Sequence, residues 1–140
     1  MDSIIKESER NLRRAIILLQ TWKMQKGAGG EGEPLHVAEW RLAIRDIAKD
    51  VMKEQTAKKL REIREKVYDL LINCIPGEYI VKYVVEELSI YADDRLKLQL
   101  LYWAAYHEVR MQMGNKPIFH IEAFLARIMN IFKKSVENFS

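Results

Sequence analysis

Val37-Ala-Glu-Trp40-Arg-Leu-Ala-Ile44-Arg-Asp-Ile47-Ala48-Lys-Asp-Val51 places Val37, Trp40, Ile44, Ile47, Ala48 and Val51 at steps of three, four, three, one and three. That spacing keeps the apolar side chains on one face of an α-helix and the charges on the other. The pattern repeats in Leu60, Ile63, Val67, Leu70, Leu71 and Cys74. Pro76-Gly77 interrupts it, and Ile80, Val84, Leu88 and Tyr91 resume it. Asp93-Asp94 can cap another helix start, because a carboxylate there accepts backbone N–H groups and suits the helix dipole. Gly114 stands where a left-handed helix terminus wants glycine. Pro117 then opens a last stripe of Ile121, Phe124, Leu125, Ile128 and Phe132, and proline at a first turn loses no needed hydrogen bond. The reading is all-α, with helices over about 36–54, 57–74, 77–92, 94–113 and 117–138. Trp40, the bulkiest member of its stripe, is expected in the core, and Cys74 as a buried small hydrophobe.

The composition agrees. The chain has 140 residues, 49% hydrophobic and 31% charged, which suits one folded domain and not a disordered chain. A formal charge of +3 is too small to argue nucleic-acid binding by itself. One cysteine excludes a disulfide framework and a multi-cysteine metal site, and fits a reducing compartment. No apolar run approaches the roughly 18–20 residues of a membrane span, and Met-Asp-Ser-Ile-Ile-Lys is not a secretory signal.

N-terminal to these stripes, Leu12, Ala15, Ile16, Leu19 and Trp22 form a further helical face, with Ser8 or Asn11 able to cap it. Gly27 to Pro34 holds four of the chain's six glycines and reads as a flexible connector. The domain expectation is therefore a segment 1–26 ending in a helix, a linker 27–34 and a helical domain 35–140.

Most chemical motifs fail on context. Gly27-Ala-Gly29-Gly-Glu-Gly32 matches a dinucleotide fingerprint in letters, but it follows a helix and runs into Glu33-Pro34. His107-Glu108 begins a zinc-protease motif whose second histidine is Met111. Cys74 has no activating base in view. No catalytic residue and no metal site are expected. Lys58-Lys59-Leu-Arg61-Glu-Ile-Arg64-Glu-Lys66 is a solvated helix face, with Arg61–Glu65 and Glu62–Lys66 at ion-pair spacing. Its alternative reading is a nucleic-acid patch of a stand-alone binding module.

Ser8-Glu-Arg-Asn11-Leu-Arg13-Arg14-Ala15-Ile16 sets two arginines near a helix N-terminus, where the dipole disfavours them. An anion would offset that cost, since backbone N–H and guanidinium groups converge on one phosphate.

This segment resembles the end of the ATPase lid in AAA+ clamp-loader small subunits of the eukaryotic replication factor C family. Arg64-Glu-Lys-Val-Tyr-Asp-Leu-Leu-Ile-Asn-Cys74-Ile-Pro76 and Ala104-Ala-Tyr-His-Glu108-Val-Arg110-Met-Gln-Met-Gly114, continuing through His120 to Phe124, are similar to collar segments of the same family. Pro117 departs from the family's small residue there. The resemblance implies the C-terminal part of a longer chain, with the phosphate-binding loop and the acidic ATPase motif upstream. Residues 1–26 would be a lid remnant, and about five following helices a collar domain that packs with other replication factor C subunits. The whole complex would load a sliding clamp onto primer-template DNA in the nucleus, using ATP with Mg, while this part would catalyse nothing by itself. Matching the family's sensor-2 segment puts its phosphate-contacting arginine on Arg13.

Overall fold

The computed structural model describes residues 8, 11–26 and 39–137. The chain divides into two compact units, 1–38 and 39–140. In the first, α1 spans Leu12–Lys26. The Asn11 side-chain oxygen accepts a bond from the Arg14 backbone N–H at 3.1 Å, and the Asn11 carbonyl accepts from Ala15 at 2.9 Å. The expected cap is thus Asn11. The glycine-rich stretch 27–34 lies outside the described residues.

The second unit holds α2 (Glu39–Lys53), α3 (Ala57–Ile72), α4 (Gly77–Ser89), α5 (Asp94–Met113) and α6 (Pro117–Glu137), and no strand occurs among the described residues. The expected caps form: Asp93 accepts from Leu96 N–H at 3.2 Å and Pro117 is the first residue of α6. Thr56, which no stripe had flagged, caps α3 through Lys59 N–H at 3.2 Å. The apolar stripes converge on one core, in which Ile44, Ile47, Ile63, Ile80, Leu88, Leu100, Phe124 and Ile128 are essentially closed to solvent. α6 lies centrally and touches each of the other four helices of this unit, while α5 packs against α4 and α6.

Three local expectations need correction. Cys74 is exposed, not buried, and its φ is 61°. The helix ends at Ile72, two residues before the stripe does, in a turn that re-satisfies its last carbonyls. Cys74 N–H bonds the Leu71 carbonyl and Ile75 N–H bonds the Leu70 carbonyl, both at 3.1 Å. This is a Schellman ending with cysteine where glycine is usual. Cys74→Gly should therefore stabilise the protein by about 0.5–1 kcal/mol. A denaturation midpoint that does not move, or that falls, would show that the left-handed backbone carries no strain.

Gly114 is not left-handed: its φ is −104° and ψ 167°. Close approach explains it instead, because an added Cβ would lie 2.7 Å from the His120 Nε2. Trp40 is half-buried rather than fully enclosed, packed on the core edge with its ring centroid 5.1 Å from that of Tyr83.

Candidate assembly interface

α5 explains why its sequence shows little one-sidedness. One face is packed inward: Leu96 and Leu100 are buried, and Trp103, Ala104 and Met111 pack against the core. The opposite face carries Leu98, Leu101, Tyr102, Ala105 and Val109, at steps of three, one, three and four. Leu98 is 70% exposed, Leu101 56%, Tyr102 64% and Val109 57%. A helix that is apolar on both sides is expected to be covered on both sides. The sequence carried this signal as a second stripe within residues 98–109. Periodicity alone does not tell which of two stripes the fold covers.

Beside this face runs the seam between α5 and α6. Trp103 meets Tyr102 and Tyr106 edge-on, with centroids 5.2 and 5.6 Å apart. His107 continues the row toward Phe124, 6.1 Å away. The Arg127 guanidinium lies 4.2 Å from the Trp103 ring centre, and that of Arg110 lies 5.0 Å from the Tyr106 ring centre. Burial, and then the positive charges of His120, Arg127 and Arg110, hold His107 below the ordinary histidine range. Met111, at the place of the zinc motif's second histidine, packs on the core. Among the described residues, no three His, Cys, Asp or Glu side chains are grouped so as to hold a metal ion.

The basic face of α3 is largely spoken for by carboxylates. Lys66 lies 2.6 Å and Lys59 3.2 Å from Asp50 of α2, and Arg64 lies 3.4 Å from Glu122 of α6. Burial pushes the Asp50 carboxyl upward, but hydrogen bonds from Lys66 and Lys59 outweigh it and hold the group below its usual range. This clasp therefore stabilises the fold above the unfolded carboxylate pKa and is lost as pH falls through the lowered one. Lys66 takes Asp50 rather than Glu62, and Glu62 takes Lys59 at 3.0 Å. Three of the five cations in Lys58–Lys66 are thereby committed within the fold.

Arg13 is exposed on the first turn of α1. The backbone N–H of its neighbour Arg14 is taken by the Asn11 cap. No helix among the described residues is long and apolar enough to cross a membrane.

Five helices around one core, with an apolar face of α5 left open, define a helical bundle domain. The chain belongs to the family described as replication factor C subunit 3, C-terminal domain, whose pattern matches residues 40–136. It is 47% identical to replication factor C subunit 3 of Arabidopsis thaliana over 130 residues, which is 93% of this chain and 37% of that protein. It is 43% identical to subunit 5 of Oryza sativa, over 94% of this chain and 37% of that protein. With subunit 3 of Mus musculus the identity is 36%, over 96% of this chain and 38% of the relative. The chain thus spans a little over a third of the length of these relatives.

Proposed function

We propose that residues 35–140 are the collar domain of a clamp-loader small subunit, and that their task is assembly rather than catalysis. The observation that carries this reading is the outward face of α5, where four large apolar side chains stand more than half exposed. Burying such a face against sister replication factor C subunits removes apolar area from water and supplies the drive for association. The family match supports the same class of partner. In the assembled complex the collar holds ATPase modules of the subunits in place, so that ATP, with Mg, drives loading of a sliding clamp onto primer-template DNA in the nucleus. Residues 1–26 are read as the end of the ATPase lid, joined through 27–34. Arg13, which the resemblance to the clamp-loader lid puts at the ATP phosphates, is exposed in the first turn of α1, as that role requires. It would hold the phosphates, whose hydrolysis is the chemistry ATP supplies when bound.

The test is a paired substitution, Leu98→Asp with Val109→Asp, in the full-length subunit co-expressed with its sister subunits. Both positions are exposed, so the fold should survive, with helical circular dichroism unchanged. Association should weaken by about tenfold or more, because each aspartate would be desolvated at the contact. Unchanged assembly would overturn the reading. Single-stranded DNA binding that tracked these substitutions would replace it with a nucleic-acid module.

A further inference from the structure

The α5–α6 seam is a trough of two adjoining cavities, about 420 and 500 Å³, that share Trp103 and Arg127. Arg110 lines the first, and Arg95 and Lys134 line the second. Asp93 is the one carboxylate on its walls, and it is already engaged as the α5 cap by Leu96 N–H. Among the described residues no carboxylate forms an ion pair with Arg95, Arg110 or Arg127. This contrasts with α3, where Lys59 and Lys66 are tied to Asp50 and Arg64 to Glu122. The trough is therefore a net positive seam, continuous with the open apolar face through Tyr102 and Tyr106.

We infer that this trough receives the carboxylates of an acidic amphipathic helix on a sister subunit, whose apolar row lies on Leu98, Leu101 and Tyr102 while its acidic residues reach Arg110 and Arg127. The inference rests on the assembly reading above and adds the chemistry of the partner. A guanidinium fork pairs with carboxylate and phosphate alike, and it is the apolar face continuous with the trough that favours an acidic amphipathic helix over nucleic acid. Single-stranded nucleic acid binds by stacking bases on open aromatic faces. Here a guanidinium of the protein itself lies over one face of Trp103 and another over one face of Tyr106, at 4.2 and 5.0 Å from the ring centres. A guanidinium held over a ring still has N–H groups to offer, and a carboxylate can accept two of them at once. The rings also hold the two arginines in place, so less side-chain freedom is lost on binding. The field of these cations is already felt within the fold, since Arg127 and Arg110 help to lower His107.

The test uses the full-length subunit with Arg110→Glu and Arg127→Glu, titrated against each purified sister subunit at about 0.1 and 0.5 M salt. Arg110→Gln with Arg127→Gln serves as the milder pair should charge reversal disturb folding, which helical circular dichroism reports. Affinity for one sister subunit should fall at least tenfold at low salt. The remaining binding should lose most of its salt dependence, because exposed charge pairs are screened while apolar contacts are not. Changing glutamate to arginine on the partner helix should restore binding to the charge-reversed subunit. If both arginine pairs bind as the unsubstituted protein does while Leu98→Asp with Val109→Asp does not, the acidic partner is overturned and the assembly reading stands. If neither set weakens binding, both fail. If the arginine variants lose only a fluorescein-labelled single-stranded oligonucleotide, the trough serves nucleic acid and the inference is wrong.

Discussion

Phe124→Ala is expected to lower the stability of the helical domain by about 3–5 kcal/mol, the usual cost of removing a fully enclosed phenylalanine. Its ring has no solvent exposure and lies on α6, the helix that touches all four others of its unit. Truncation there loses the ring's transfer free energy and leaves a void between helices that are also held by other contacts, so collapse around it is incomplete. Domains of this size are stable by only about 5–15 kcal/mol, so roughly a fifth or more of the total would go. Phe124→Leu keeps most of the volume and should cost closer to 1–1.5 kcal/mol. Urea denaturation of both variants gives the comparison. A Phe124→Ala loss below about 1 kcal/mol would mean that α6 is not the centre of the core.

The fold was legible because each helix of the bundle presents its apolar residues at helical steps, and burial then follows the stripe. Ile44, Ile47 and Val51, Ile63 and Val67, and Ile121, Phe124 and Ile128 all lie where their spacing puts them. Legibility failed where a helix stopped before its stripe. Cys74 continues the phase of Leu70, but the chain has already turned left-handed, and a phase argument holds only while the helix lasts. Gly114 shows the complementary failure: glycine was read as a backbone need, whereas the ring of His120 supplies a packing need that only the tertiary fold reveals. Ion pairs followed the same rule. Spacing proposed Glu62 for Lys66, but Asp50 lies sixteen residues away in sequence and closer in space. As for the interface, the second stripe of α5 was in the sequence throughout. Its meaning appeared only once α4 and α6 had covered the first. The trough needed the fold outright, because Arg110 and Arg127 sit on different helices seventeen residues apart.

Arg13→Ala, in the full-length subunit within its assembled complex, is expected to weaken ATP binding by roughly ten- to hundred-fold. That is the weight of a charge-assisted contact worth about 1.5–3 kcal/mol. Folding should be untouched, for two reasons visible in α1. Arg13 is exposed, and a cation in the first turn of a helix faces the positive end of its dipole, so removing it costs nothing there. Arg14→Ala should do less to ATP. Arg14 stands beside the position proposed for the phosphate contact, and it is half-buried, so its truncation draws on local packing instead. The measurement is ATP affinity for each single variant, with clamp binding in the presence of ATP as the second readout. Affinity is the decisive number, since a subunit's own nucleotide site can bind ATP without limiting the rate of loading. Equal and negligible effects would return Arg13 to an ordinary surface arginine, for which a contribution near zero is usual. A larger effect from Arg14 would shift the phosphate contact by one residue along α1. In either case the collar reading would be left standing, because it draws on α5 and not on this helix.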